Sequence, residues 1–361
     1  MHPRSNKPKI GILASDLPEA AAVAAPFVDR GWTLSVALTA ARGAAETDVE
    51  LIEPAGLDEE EILRLFGVRA RAYVAAGAEV LIVGTDPDLV HFPAAATLGA
   101  ILGVGARCGL IAPALPARGY TTENAVQMRR GDHLPGGMRH SSLVRQVQGA
   151  TGGTWLHPEI VRLATVRGPG LARRLGRAWS RRTRLPICDA EAMGDLLRVV
   201  EAALRPRAHG TPRVFAGTRA LGWALAETLG GALRPSAREL PEGPVLVLRE
   251  GAGDAVPRPL RELRWLGVGE LAPVVHSGDR LGLVVESDAW GPATDRLIAS
   301  IVERARPKTL VALGRRPAAE IARISAASKI EMLGSGSGGF AVGRLLGGPW
   351  GEKTVWMGGG G

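Results

Sequence analysis

The chain has 361 residues, 46% of them hydrophobic but only 4% aromatic, and a formal net charge of +8. That length suggests two domains or one large one, with Ala, Leu and Val filling the cores. Two cysteines, Cys108 and Cys188, exclude a disulfide-stapled scaffold, and no apolar run reaches the roughly 20 residues that span a bilayer.

Both cysteines abut or sit within apolar runs and read as free buried thiols of a reducing compartment. The polar, basic start, residues 1–9, leads into a strand pattern and is not a secretory signal, so a cytoplasmic protein with no membrane contact is expected. Much of the positive charge is local, with Arg173, Arg174, Arg177, Arg181, Arg182 and Arg184 crowding one segment. Such a patch suits an anionic partner. The simpler reading is a solvated Arg-rich helix, and without interleaved aromatics nucleic acid is not expected there.

Strand-like and helix-like patterns alternate along the chain. Residues 9–14 read as a strand and 17–30 as a helix, with Pro18 suited to its first turn. A strand over 34–38 follows, then a helix over 57–76 whose acidic start, Asp58 to Glu61, favours its N-terminus. Next come a strand (80–83), a helix (94–102) and a strand (108–112). Residues 122–153 have weak periodicity and read as loops with one short helix, 141–148. Segments 160–166 and 185–188 precede a helix over 192–204. Pro206, Gly210 and Pro212 mark a linker. A second series then begins: strand 214–216, helix 219–229, strands 245–248 and 283–285, helix 293–304, strand 309–313 and helix 318–326. A glycine-rich tail, 334–361, closes the chain. The alternation predicts two α/β domains with mainly parallel sheets and a ligand cleft between them, divided as 1–205 and 206–361.

Chemistry-bearing residues collect where strands end, which is where open α/β sheets bind ligands. Ser15 and Asp16 follow the first strand. Asp16 could hold a substrate hydroxyl, or could simply cap the helix that follows. Asp86 and Asp88 follow the third strand in a Gly-Thr-Asp-Pro-Asp run that is also ordinary turn chemistry. Beyond Cys108–Ala112, the prolines Pro113 and Pro116 stiffen a loop carrying Arg118, Tyr120 and Thr121. Asp189 follows a short strand and faces the cleft or caps a helix. Gly217 and Thr218 open a helix, where free N–H groups suit a phosphate. Gly314 and Arg315 do the same later in the chain, and Gly358, Gly359 and Gly361 end it.

These runs resemble, in order, the four-carbon acid sugar kinases. There an Ala-Pro-Ala-Phe-Pro strand end leads into a Gly-Arg-Thr loop and a Gly-x-Pro-Leu turn. Here the order is Ala112-Pro113-Ala114-Leu115-Pro116, Gly119-Tyr120-Thr121, and Gly131-Asp132-His133-Leu134-Pro135. Asp16 matches the second aspartate of the family's Ala-Asp-Asp-x-Thr-Gly-Ala run, and Asp86 the aspartate of Lys-x-Asp-Ser-Thr-x-Arg-Gly. Leu163-Ala164-Thr165-Val166-Arg167 and Asp189 through Leu196 continue the likeness. Gly343-Arg344 and Gly347-Gly348-Pro349 are similar to the family's Gly-Arg-x-x-Gly-Gly-Pro.

The resemblance implies an N-terminal domain that binds a small sugar acid and a C-terminal domain that binds ATP with Mg2+. The reaction it implies moves the γ-phosphoryl group to a substrate hydroxyl. Asp16 and Asp86 would serve as catalytic carboxylates, and Ser15, Asp88, Arg118, Tyr120 and Thr121 would bind substrate. Gly217, Thr218, Gly314, Arg315, Gly358, Gly359 and Gly361 would bind nucleotide, and no protein metal site is expected. The departures are electrostatic. Gly84, Val90, Tyr120 and Trp356 stand where the family has cations, with Arg118 and Arg315 the nearest replacements. Each lost stabiliser costs on the order of 100-fold in rate. Three readings therefore stay open: a divergent kinase, a catalytically silent homologue that binds a small acidic metabolite, a nucleotide or a protein partner, and a different enzyme on the same scaffold. A homo-oligomer is left open.

Overall fold

The structure is a computed structural model that describes residues 8–38, 48–52, 57–89, 94–105, 108–150, 156–181, 184–205, 212–231, 233, 238–240, 243–250, 260, 263–267, 280–285 and 289–358. In chain order its elements are β1 (Ile10–Ala14), α1 (Leu17–Asp29), β2 (Ser35–Ala37), β3 (Val49–Leu51), α2 (Glu59–Ala75), β4 (Val80–Gly84), α3 (Ala94–Gly103), β5 (Cys108–Ile111), β6 (Tyr120–Glu123), β7 (Val126–Arg129), β8 (Asp132–His133), α4 (Gly137–Ser141), α5 (Leu143–Ala150), β9 (His157–Val161), α6 (Leu163–Val166), α7 (Leu171–Ser180), β10 (Arg184–Cys188) and α8 (Met193–Leu204). These continue with β11 (Arg213–Gly217), α9 (Arg219–Leu229), β12 (Val245–Glu250), β13 (Arg264–Gly267), β14 (Arg280–Val285), α10 (Pro292–Ala305), β15 (Thr309–Leu313), α11 (Arg315–Ser325), β16 (Lys329–Ser335), β17 (Ala341–Leu346) and β18 (Thr354–Gly358). The architecture is α/β with mostly parallel strands, as the alternating pattern predicts.

The chain divides into two compact units, Met1–Ser15 with Arg42–Ala232, and Asp16–Ala41 with Leu233–Gly361. The sequence reading divides it at 205/206 instead. Two segments account for the difference: α1 and β2 fall in the second unit, and β11 pairs in parallel with both β4 and β5 and so belongs to the interior of the first sheet. Strand order in space is not strand order in sequence, and a linker-like segment before Arg213 gives no sign of which sheet the next strand joins.

In the first unit the parallel order is β3-β1-β4-β11-β5-β10-β9. Its central strands are continuous apolar runs, IGILA and VLIVG, buried along their whole length. That is the signature of a parallel sheet covered on both faces. Helices α2 and α3 pack backbone to backbone: a Cβ on Gly103 would lie 2.2 Å from the Gly67 carbonyl oxygen. The short helix expected over 141–148 corresponds to α5, but residues 120–133, read largely as loop, carry an antiparallel sheet, β6-β7-β8, and α4 precedes α5.

In the second unit β13-β14-β12-β15-β18 run parallel. The strands β17, β16 and β2 continue the sheet antiparallel. The glycine-rich tail thus contributes β17 and β18 to the sheet. Its core gathers Val245, Val247, Val311, Phe340, Val342 and Trp356.

Candidate functional site at the strand ends

The carboxyl ends of β4, β5, β10 and β11 hold the polar residues of the first unit. After β4 the chain turns through Thr85, Asp86, Pro87 and Asp88. Thr85 N–H donates to the Gly217 carbonyl (3.0 Å), and Leu89 N–H returns to the Asp86 carbonyl (3.2 Å), closing the turn. Asp86 is 4% exposed. The Thr85 hydroxyl is buried and has no hydrogen-bond partner among the described residues.

Asp88 and Tyr120 come together. The Tyr120 hydroxyl donates to Asp88 Oδ1 at 2.8 Å. Burial, followed by the hydrogen bond to Asp88 and its negative charge, pushes the phenol up to about 12, against the opposing pull of Arg129 and Arg118. The Arg129 guanidinium lies 5.4 Å from the centre of the Tyr120 ring, within cation–π range. His140 Nε2 is 2.8 Å from the Asp88 carbonyl. A carbonyl only accepts, so the ring carries its proton on Nε2. Arg118, just before β6, and Thr121, on β6, are half-buried.

Gln127, on β7, holds this edge together and was not singled out from the sequence. It is fully buried. Its Nε2 donates to the Pro87 and Pro113 carbonyls (3.2 Å each), and its Oε1 accepts the Thr122 hydroxyl (2.7 Å). One amide thus ties the loop after β4 to the loop after β5. A polar residue inside an alternating strand looks like a solvent-facing position, which is why the sequence does not single it out.

Asp189 neither caps a helix nor stands unoccupied. Its carboxylate accepts the N–H groups of Asn124 and Ala125, both at 2.9 Å. Those residues have φ of 50° and 59°, the tight turn of the β6–β7 hairpin. Burial raises the Asp189 carboxyl above its ordinary value, although these hydrogen bonds pull the other way. The cap of α8 comes from Asp195, which accepts from Glu191 N–H (3.1 Å) and Ala192 N–H (3.0 Å). Burial pushes Asp195 up, but Arg167 and these N–H groups outweigh it and hold the carboxyl below the usual range. Arg167 grips Asp195 with two parallel bonds of 2.9 Å, tying α6 to α8.

Gly217 and Thr218 are built into the first unit. A Cβ at Gly217 would sit 2.4 Å from the Ala112 carbonyl oxygen, so only glycine fits between β11 and β5. The Thr218 hydroxyl donates to the Ala114 carbonyl (2.8 Å) and caps α9 by accepting Ala220 N–H (3.3 Å). Ser15 is half-buried at the end of β1.

The remaining sequence-derived residues lie in the second unit. Asp16 caps α1, accepting Glu19 N–H at 2.8 Å. Its other oxygen lies 3.0 Å from Arg315 Nε. Gly314 has φ of 106° and leads into α11 with no side-chain cap, and a Cβ there would meet nothing closer than Pro317 at 3.8 Å. Gly358 is different: a Cβ would lie 2.7 Å from the Phe340 ring, so the core accounts for this glycine. Trp356 is 2% exposed and packs against Phe340 at 5.9 Å between ring centres. Arg316 stacks over Trp290 at 5.7 Å. Gly359 and Gly361, like Val90 and His91, lie outside the described residues.

Among the described residues no helix is long and apolar enough to cross a membrane, and no group of three His, Cys, Asp or Glu side chains is placed to ligate a metal. Both cysteines are buried and neither is in a disulfide.

The sequence matches no protein-family profile and no curated protein. Solved structures share its fold. A Salmonella typhimurium LT2 protein described as a "putative tRNA synthase" aligns with TM-score 0.72 at 15% identity, covering 97% of this chain and 95% of that one. The Haemophilus influenzae protein HI1011, of domain family DUF1537, aligns with TM-score 0.59 at 14% identity over 97% of each chain. At these identities the likeness is one of fold, and it runs nearly the whole length of the chain.

Proposed function

We propose that this chain binds a small hydroxylated acid on a sugar-acid-kinase-like scaffold, at the carboxyl edge of the first unit's sheet. The observation that carries this reading is the Asp88–Tyr120 hydrogen bond beside the buried Asp86. Residues picked separately from two distant stretches of sequence meet at one strand edge, where α/β sheets bind ligands. Asp86 accepts a ligand hydroxyl and the Thr85 hydroxyl donates or accepts a second bond. Arg118 supplies the cation for a carboxylate, with Thr121 and Ser15 as further polar contacts. Tyr120, kept protonated by its surroundings, remains a donor throughout the physiological range. The motif order and the fold likeness to a DUF1537 protein support the scaffold assignment.

The same residues give the nucleotide half of the kinase reading less support. Gly217, Thr218 and Gly358 have structural reasons to be what they are, and the guanidinium of Arg315 is engaged by Asp16. A phosphoryl-transfer site needs preorganised cations facing the developing charge. One observation favours a retained kinase as the second reading: the open start of α11 at Gly314, with Arg315 and Arg316 immediately after it. ATP with Mg2+, when bound, would supply the phosphoryl group, and Gly314 with Arg315 and Arg316 would be the residues to hold it.

Calorimetric titration of the full chain with four-carbon sugar acids, repeated with Asp86→Asn and Tyr120→Phe, tests the primary reading. Saturable binding weakened in both variants supports it, and no binding at millimolar acid overturns it. Turnover of ATP with a sugar acid and Mg2+ would establish the second reading in place of silence.

A further inference from the structure

We infer that a cavity between α6 and α7 is a second binding site, for a small phosphorylated anion held by Arg173 and Arg177. The cavity measures about 360 Å³ and is lined by Thr165, Gly168, Gly170, Arg173, Arg174 and Arg177. It shares no residue with the strand-edge site and does not depend on it.

The first argument is a conflict inside α7. The start of a helix carries partial positive charge and favours acidic residues. Here Arg173 and Arg174 are its third and fourth residues, no acidic residue lies in the first turn, and Gly170 supplies no side-chain cap. Arg177 follows Arg173 by one helical turn, so two like charges share a face. Places where local sequence choice opposes local electrostatics are where function is expected.

The second argument is the state of the arginines. Arg174 is answered by Glu159 at 2.8 Å. Arg173 and Arg177 are exposed and have no carboxylate partner among the described residues. Both residues line the cavity, whereas another face of the helix is committed to the core through Leu171, Leu175, Ala178 and Trp179. A dianion between the two guanidinium groups neutralises both and relieves the repulsion between them.

The third argument is size and shape. Guanidinium forks match the oxygens of a phosphoryl group with parallel hydrogen bonds. A Cβ at Gly170 would meet nothing within 4 Å, so the mouth is open, and Thr165 is among the lining residues. The volume falls in the range of small-ligand pockets, roughly 300–1,000 Å³, which is larger than a bare phosphate requires. A phosphorylated metabolite of about sugar size suits it, and a concave pocket with no aromatic lining suits a small molecule better than a nucleic-acid strand.

The test is calorimetric titration of the full chain with inorganic pyrophosphate, for the natural sequence and for Arg173→Gln/Arg177→Gln. The expected result is one saturable site in the natural sequence, weakened roughly tenfold or more in the variant. The melting temperature of the variant without ligand should change little, because Arg173 in the first turn opposes the helix dipole while Arg177 in the last turn complements it. A charge-preserving Arg173→Lys/Arg177→Lys variant should fall between the two, since it keeps charge and loses the fork. No saturable binding in the natural sequence, or equal affinity in the glutamine variant, overturns the proposal. Displacement of pyrophosphate by single-stranded RNA with a steep salt dependence overturns the small-ligand assignment in favour of a nucleic-acid surface.

Discussion

Arg315 Nε stands 3.0 Å from the Asp16 carboxylate, whose other oxygen caps α1 through Glu19 N–H. A residue read as catalytic and a residue read as phosphate-binding thus engage each other within the second unit. The carboxylate does two things at once, ending one helix and anchoring the first residue of another.

Asp16→Ala should therefore destabilise the protein by about 1 kcal/mol through the lost cap. Arg315→Ala should cost less, about 0–1 kcal/mol, because its side chain is 37% exposed and the pair is screened by water. Urea unfolding of both single variants and the double variant measures the coupling. A coupling near zero would mean that the arginine is available for a ligand despite the contact, and would strengthen the kinase reading.

Tyr120 gives a pH signature. Its folded phenol ionises near 12, above the ordinary value near 10. Its contribution to stability is fully present below the unfolded value and is lost as the pH rises from there through the folded value. Denaturation midpoints across alkaline pH should fall over this interval, and Tyr120→Phe should flatten the fall. Only one other tyrosine, Tyr73, contributes to the tyrosinate absorbance, so the titration can be assigned by difference.

Gln127→Leu removes an amide whose loss leaves two buried partners, the Pro113 carbonyl and the Thr122 hydroxyl, and a part-buried one, the Pro87 carbonyl. Each unsatisfied group costs about 1–3 kcal/mol. A loss of at least about 2 kcal/mol in urea unfolding is expected, with weaker binding of any strand-edge ligand because the two loops are no longer tied. Gln127→Glu, which keeps the acceptor but not the donor, should weaken ligand binding similarly.

What the sequence revealed follows from how local each signal is. The apolar runs of β1, β4 and β5 and the acidic start of α2 are local, and the structure has them where the pattern placed them. The insertion of β11 between β4 and β5 is a long-range pairing with no local mark. The β6–β7 hairpin was missed because its turn, Asn124-Ala125, lacks the glycine that usually announces one, and Asp189 supplies the support from 64 and 65 residues away. The strands β17 and β18 were hidden by glycines that core side chains require, such as Gly358 against Phe340. Among the candidate site residues, Asp88 and Tyr120 could be picked individually, but their contact could not.

The α2–α3 contact offers the sharpest packing prediction. Gly103→Ala would place a methyl group 2.2 Å from the Gly67 carbonyl oxygen, and this atom belongs to backbone that cannot swing aside. The helices must separate, at a cost of about 1–3 kcal/mol or more. Gly105→Ala, two residues on, is the control. Its φ of +58° is unfavourable for alanine, but a Cβ there meets nothing within 4 Å. That cost is conformational only, about 1 kcal/mol. Thermal unfolding of the two variants should show Gly103→Ala as clearly the less stable. Equal losses would mean that the helices slide apart at little cost, and that α3 is less firmly held against α2 than the backbone contact implies.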